Sequence, residues 1–166
     1  MFNKLSFYID SLIKLVGKIS ATFVVALILV IVYDAFNRYL FSNGSIFLQE
    51  IEWHLFDLIF LLGISYALKH DKHVRVDILY ARYSNKTKNI LNIFSNFFII
   101  IPFSSVIVYY SYGLVEVSYL QNEVSPNPNG LCCRYLIKSA ILVAFVLLIL
   151  QSISEVIKSF EKLKSN

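Results

Sequence analysis

Four long apolar runs, separated by short polar segments, constrain this chain more than any other feature. They extend over about residues 17–36, 47–68, 90–115 and 136–157. Each run has about the 20 mostly apolar residues that a helix needs to cross roughly 30 Å of hydrocarbon. Inside lipid, only helices and closed barrels satisfy their own backbone hydrogen bonds. The runs therefore predict an all-α integral membrane protein with four transmembrane helices in one membrane domain, residues 1–166.

The composition supports a membrane location and argues against a soluble domain. The chain is 57% hydrophobic, its mean hydropathy is +0.65, and charged residues make up only 16% of it. Soluble globular proteins contain about 25% charged residues. A soluble domain of this size would have too little polar surface to cover so many apolar side chains.

Three local features add to the four-helix prediction. Residues 1–16 carry apolar side chains at helical spacing between Lys4, Asp10 and Lys14. This pattern is typical of an amphipathic helix that lies in the membrane interface, and it predicts a lead-in helix before the first span. No signal-peptide cleavage pattern follows the first apolar run, so we expect that run to be a retained anchor. Pro102 lies inside the third run and predicts a kink there.

The basic residues predict the orientation in the membrane. All 15 lysines and arginines except Arg38, Arg134 and Lys138 fall in the N-terminal segment, the middle loop or the C-terminal tail. By the positive-inside rule, we expect both termini and the middle loop to be cytoplasmic in a bacterial inner membrane. Four spans also require both termini to lie on the same side, which agrees with this orientation. The net charge of +4 then reflects topology and contact with lipid headgroups, so nucleic acid is not an expected partner.

Polar side chains crowd the first half of the second span. They are Glu50, Glu52, Trp53, His54 and Asp57. All except Glu52 share one helical face, and Asp57 falls roughly 15 Å into the span. A carboxylate at that depth costs about 2.5–3.5 kcal/mol, so it should face protein, water or a cation. Two interpretations remain open: an ion or proton path, or structural pairing with groups such as Arg38, Lys138 or a partner protein. Asp34 can pair with Arg38, one helical turn away.

No pattern in the sequence indicates an enzyme, a cofactor or a metal site. A membrane haem protein needs paired histidines within its spans, and only His54 lies in one. Cys132 and Cys133 are adjacent, which does not form the Cys-x-x-Cys motif of thiol-oxidising proteins. We interpret them as small apolar residues. An independent membrane redox protein and a small stand-alone transporter or channel both remain open at this point.

Several segments together resemble one family. They are Gln49–Trp53 (QEIEW), Leu62–Leu68 (LGISYAL) and His73–Asp77 (HVRVD). The set resembles the small membrane subunit of tripartite ATP-independent periplasmic (TRAP) transporters, the dicarboxylate-type small permeases. Arg38 also fits the family pattern. So does the segment 123–131, followed by Arg134 and Lys138, and this segment is similar to the branch named for mannitol or chloroaromatic compounds. The family commonly has Leu-Pro where this chain has Leu131-Cys132, and we therefore expect a less rigid start to the fourth helix.

The resemblance implies a supporting role in transport. In such transporters a periplasmic binding protein delivers an organic acid to a large membrane subunit, which moves it together with sodium. The small subunit packs on the scaffold of the large one and helps the binding protein dock, and sodium is expected only in the large subunit. The expected periplasmic polar residues are Arg38, Glu50, Glu52 and Arg134. His73 and Asp77 lie four residues apart and are expected to pin the cytoplasmic loop.

Overall fold

Four long helices make up the computed structural model, which describes residues 2–70 and 83–164. They are α1 (Phe2–Phe41), α2 (Ile46–Lys69), α3 (Asn85–Leu120) and α4 (Arg134–Lys164). Each is long and apolar enough to cross a membrane, and the described residues contain no strand. The predicted all-α fold with four membrane-spanning helices is confirmed. The predicted loop residues His73 and Asp77 lie outside the described residues.

The helices extend beyond the apolar runs, and α1 does so most. It has 40 residues and is therefore about 60 Å long, roughly twice the thickness of the hydrocarbon. The expected lead-in helix is the first part of α1 and joins the span without a break. Its apolar residues Ile9 and Ile13 are buried together with Leu147 of α4. The apolar face of the lead-in thus packs on another helix of the chain, where the sequence predicted contact with the interface.

Helix α4 is the centre of the fold. About 39% of its most apolar stretch is buried, compared with 11% in each of the other three helices. It packs against α1, α2 and α3, whereas α3 has no comparable contact with α1 or α2 within the described ranges. Residues 42–45 and 121–133 connect helices at one end, which we call the loop end. The first residues of α1 and the last residues of α4 meet at the other end, which we call the terminal end.

Small polar residues form the buried face of α3. Ser104, Ser111 and Ser118 are buried and recur every seven residues, and the buried Asn89 and Asn96 show the same spacing nearer the start of the helix. Lipid provides little hydrophobic driving force between helices, so close packing of small side chains holds membrane helices together. This stripe explains why α3 packs on α4.

The repeat contains one extra residue between Asn96 and Ser104, where α3 has a π-helical segment, Ser95–Ile100. The N–H of Ile101 donates to the carbonyl of Asn96, five residues back. A π turn accommodates one additional residue and returns the following positions to the same face. The segment ends just before Pro102, which has no N–H to donate. The distortion expected at Pro102 is thus a widened turn on its N-terminal side.

Helices α1 and α2 approach each other closely at Gly17. The ring of Tyr66 lies against this glycine, and a Cβ at position 17 would overlap the ring. Nearby, the Ser20 hydroxyl donates to the carbonyl of Ile59 over 3.1 Å. These contacts set the position of α2 and hence of the polar residues in its first half.

Candidate functional site

Glu50 holds the loop between α3 and α4 at the loop end. It is only 7% exposed, although it lies in the first turns of α2. Its carboxylate accepts hydrogen bonds from the Ser125 hydroxyl, from Asn127 Nδ2 at 3.0 Å and from the Leu131 N–H at 2.6 Å. The charge is therefore satisfied within the chain by three donors from one loop. Glu50 has a structural role here, one of the two roles expected for it.

The loop itself is compact, and Gly130 allows Glu50 to approach it. A Cβ at position 130 would lie 2.9 Å from Glu50 Oε1 and would overlap Ser125. Two further bonds close the loop: the Ser125 N–H donates to the Leu131 carbonyl, and the Gly130 N–H donates to the Asn127 carbonyl. Asn129 has a positive φ of 61°, a conformation that asparagine tolerates better than most residues. Residues 121–133 thus present a fixed surface.

Glu123 forms a second attachment of this loop. It accepts a hydrogen bond from Ser118 at 2.6 Å and one from Lys138, and Arg134 Nη1 lies 4.0 Å from its carboxylate. The Lys138 ammonium, together with the Ser118 hydroxyl, holds the pKa of the Glu123 carboxyl below its ordinary value. The structure thus gives Arg134 and Lys138 an acidic partner from the loop. The sequence had suggested the acids of the second span as partners of Lys138. In the structure Lys138 pairs with Glu123, because the folded loop brings Glu123 to the start of α4, where its carbonyl accepts from the Arg134 N–H at 3.0 Å.

Arg38 pairs with Asp34, as the spacing of one helical turn predicted. Asp34 is buried, and Glu52 lies within electrostatic range of both residues. One oxygen of Asp34 and one of Glu52 are buried without a hydrogen-bond partner in the described part of the chain. Arg38 thus neutralises a local concentration of negative charge where α1 and α2 meet.

Trp53 and Asp57 lie on the outer surface of α2. Trp53 is 61% exposed, and Asp57 is exposed beside a shallow groove of about 280 Å³ that Lys138 also lines. Glu50 and Asp57 lie two turns apart on the face that the sequence predicted. The loop of residues 121–133 covers Glu50 but not Asp57, because it extends only over the start of α2. His54 lines a different groove, next to Cys132 and Cys133.

A polar cluster at the terminal end was not predicted from the sequence. Asp10 accepts from Ser154 at 3.0 Å, from Gln151 at 3.3 Å and from Lys158 at 2.9 Å, and its backbone carbonyl accepts from Lys69. Lys158 also donates to Glu155 at 2.8 Å. The cluster joins the ends of α1, α2 and α4. The sequence indicated this cluster only through Asp10, which is the one acidic residue in residues 1–16. Its partners could not be predicted, because they lie in distant parts of the sequence.

The two cysteines are free thiols, and Cys132 is exposed. Hydrogen bonding and proximity to Cys133 raise the pKa of the Cys132 thiol. A raised pKa lowers the thiolate fraction at neutral pH, and the thiolate is the reactive form.

Comparison with known proteins decides between the transporter and redox interpretations. The family described as "Tripartite ATP-independent periplasmic transporters, DctQ component" matches residues 27–162, which include the last part of α1, all of α2 and α3 and nearly all of α4. The chain belongs to this family. A protein of Haemophilus influenzae, assigned by its name to the TRAP transporter small permeases, is 22% identical to it over 143 residues. That alignment covers 86% of this chain and 82% of the relative.

Membership of the DctQ family makes the chain a small subunit of a TRAP transporter and a multi-pass membrane protein. This agrees with the expected accessory role and disfavours an independent redox protein. This chain is therefore a subunit within a larger assembly. Its loop of residues 121–133, which Glu50 and Glu123 hold in place, and the exposed surface of α2 are surfaces that other subunits can contact.

Proposed function

We propose that this DctQ-family chain supports a sodium-coupled TRAP transporter for organic acids in the bacterial inner membrane. It packs on the scaffold of the large membrane subunit and helps the periplasmic binding protein dock. Sodium and substrate bind in the large subunit. Assignment to the branch named for mannitol or chloroaromatic compounds stays a prediction from segment 123–131.

The docking role in this proposal is supported by the loop of residues 121–133, which we call the braced loop. Glu50 and Glu123 fix this loop from two sides, so it keeps its shape before a partner arrives. A preorganised surface loses less conformational entropy on binding than a flexible one. The loop also lies at the same end of the molecule as Arg38 and Arg134. This end therefore offers both a fixed shape and charged groups to a soluble partner.

The distribution of basic residues supports a periplasmic location for the loop end. Of the basic residues that the structure describes, only Arg38, Arg134 and Lys138 lie there, whereas the others lie toward the terminal end. The positive-inside rule places the more basic end in the cytoplasm. The loop then faces the compartment that contains the binding protein.

Affinity purification of the tagged chain, expressed from its native locus and extracted in mild detergent, tests the subunit role. We expect a much larger polytopic membrane protein to co-purify in near-equal amount. Removal of the chain should also abolish sodium-dependent uptake of the organic acid by cells. Recovery of the chain alone, together with unchanged uptake after its removal, would contradict the proposal.

The docking role needs a separate measurement on the intact membrane complex. Val124 is an exposed residue of the loop without a positive φ, and its replacement by a bulky charged residue (Val124→Arg) should weaken binding of the periplasmic protein. The large subunit should still co-purify in the normal amount, because Glu50 and Glu123 still hold the loop in place. Gln121, at the edge of the loop and also exposed, provides a control substitution to Arg. Equal binding by both variants and the wild type would refute a docking role for the loop.

A further inference from the structure

Four exposed residues form a continuous stripe along α2. Trp53, Phe56, Asp57 and Phe60 are spaced at i, i+3, i+4 and i+7, so they lie along one line of the helix surface. The three aromatic residues are each about 60% exposed, and Asp57 is exposed between them. We call these four residues the aromatic–acidic stripe.

The depth of Asp57 makes contact with lipid unfavourable. It lies 11 residues after Ile46 in a helix of 24 residues, which is roughly 16 Å along an axis of about 36 Å. This position is near the middle of the hydrocarbon. A carboxylate that faces lipid at this depth is unfavourable, and acidic residues in membrane spans almost always face protein or water. Lipid tails offer it neither a hydrogen-bond donor nor a positive charge.

No residue in the described part of the chain neutralises Asp57. Among the described residues it has no hydrogen-bond or ion-pair partner. Lys138 lines the same groove, but its ammonium bonds to Glu123. Asp57 therefore differs from Glu50, Glu123 and Asp34, each of which has a donor or cation within the chain. A charge left without a partner in a folded subunit indicates that the partner comes from another molecule.

We propose that the aromatic–acidic stripe is the surface on which a transmembrane helix of the large membrane subunit packs, with a lysine or arginine of that helix paired to Asp57. The inference rests on the proposed function and specifies the contacting face and the chemistry of its partner. Trp53, Phe56 and Phe60 supply the large rigid area that concentrates binding energy in interfaces. Their ring faces also attract a cation, which adds to the pairing with the carboxylate.

Site-specific photo-cross-linking in the membrane tests the position of the interface. A photoreactive phenylalanine analogue is introduced at Phe56 or, as a control, at Tyr110, which is 72% exposed on α3. Both positions lie ten residues from the loop end of their helices, so they are matched in depth. We expect cross-links to the large subunit from position 56 only. Cross-links to it from position 110 only, or from position 56 to a second copy of this chain or to lipid alone, would overturn the proposal.

Charge substitution tests the chemistry. Replacement of Asp57 by lysine should lower the yield of co-purified large subunit by at least about tenfold, because a like charge replaces a buried pair. Asp57→Asn keeps the size and should give a smaller loss. Glu116→Lys makes the same charge change at an exposed position of α3 and should leave the yield unchanged. An acidic replacement of the cross-linked helix's cation should restore the yield with Asp57→Lys.

The two proposals fail in different ways. If the wild-type chain brings down no large subunit, the proposed function itself is wrong. If the wild type, Asp57→Lys and Asp57→Asn all co-purify the large subunit in equal amounts, the subunit role stands, but the aromatic–acidic stripe is not the interface. Accumulation of each variant in the membrane is measured in the same samples, so that loss of the subunit itself is recognised.

Discussion

At the scale of single residues, the acids of this chain differ in the number of donors that each receives. Glu50 receives three from a single loop, whereas Asp34 and Glu52 share the charge of Arg38. Asp34 and Arg38 are one turn apart, so their pairing follows from local spacing and was predicted. The donors to Glu50 lie 75 to 81 residues away, and no local pattern indicates them. For this reason the sequence predicted that Glu50 needs a polar partner, but it did not predict that the partner is the loop between α3 and α4.

Replacement of Glu50 by alanine should loosen the loop. Three donors, including the Leu131 N–H, would lose their acceptor, and an unsatisfied buried donor is destabilising. We expect the melting temperature in detergent to fall by several degrees, with a smaller fall for Glu50→Gln, which retains one acceptor oxygen. Glu116→Ala is the control on an exposed acid. Unchanged melting of Glu50→Ala would show that the loop does not depend on this carboxylate.

Glu123 should make stability depend on pH. Its pKa in the folded protein is lowered, mainly by the hydrogen bond from Lys138, so folding favours the ionised form. The resulting stabilisation is present above the ordinary pKa of 4.5 and is lost as the pH falls through the lowered value. In thermal unfolding from pH 7 to pH 3, the wild type should exceed Glu123→Gln in stability at neutral pH, and this difference should shrink in acid. A difference that stays constant with pH would contradict the assignment.

At the scale of elements, hydropathy located the four helices but underestimated their lengths. The apolar run 17–36 marks the part of α1 suited to hydrocarbon, whereas the helix itself has 40 residues. The amphipathic spacing in residues 1–16 predicted that helix continues before this run, and the structure confirms it. What the local sequence does not contain is the partner of its apolar face, because Ile9 and Ile13 are buried against Leu147 of the distant helix α4.

The π-helical segment of α3 gives the sharpest prediction for an element. Since Ser95–Ile100 accommodates one extra residue in the buried repeat, deletion of Phe98 together with Pro102→Ala should yield a regular helix with the repeat in register. We expect this variant to melt close to the wild type. Deletion of Tyr109, which is also exposed, shifts Ser111 and Ser118 off the α4-facing side. This control should be destabilised strongly, and equal melting of the two deletions would refute the register argument.

At the scale of the whole molecule, the loop end and the terminal end are held by different kinds of contact. The loop end depends on a short loop folded onto α2. The terminal end depends on side chains that join the first and last helices, since Asp10 and Lys158 are 148 residues apart in sequence. Helix α4 takes part in both, which explains why it is the most buried helix. The exposed surface of α2 lies between the two ends.

The terminal cluster should therefore couple α1 to α4 as a unit. Asp10→Ala leaves Lys158 with Glu155, and Lys158→Ala leaves Asp10 with neutral donors, so each single change removes the same pair. We expect the double variant to be less destabilised than the sum of the single variants, with a coupling of about 0.5–3 kcal/mol, as residues in direct contact show. Thermal unfolding of the wild type, the two single variants and the double variant in one detergent measures this coupling. Lys162 and Lys164 remain unchanged throughout, so the terminal end keeps most of its positive charge and the orientation in the membrane should not change. Strict additivity would mean that the pairing of Asp10 with Lys158 does not couple the two helices.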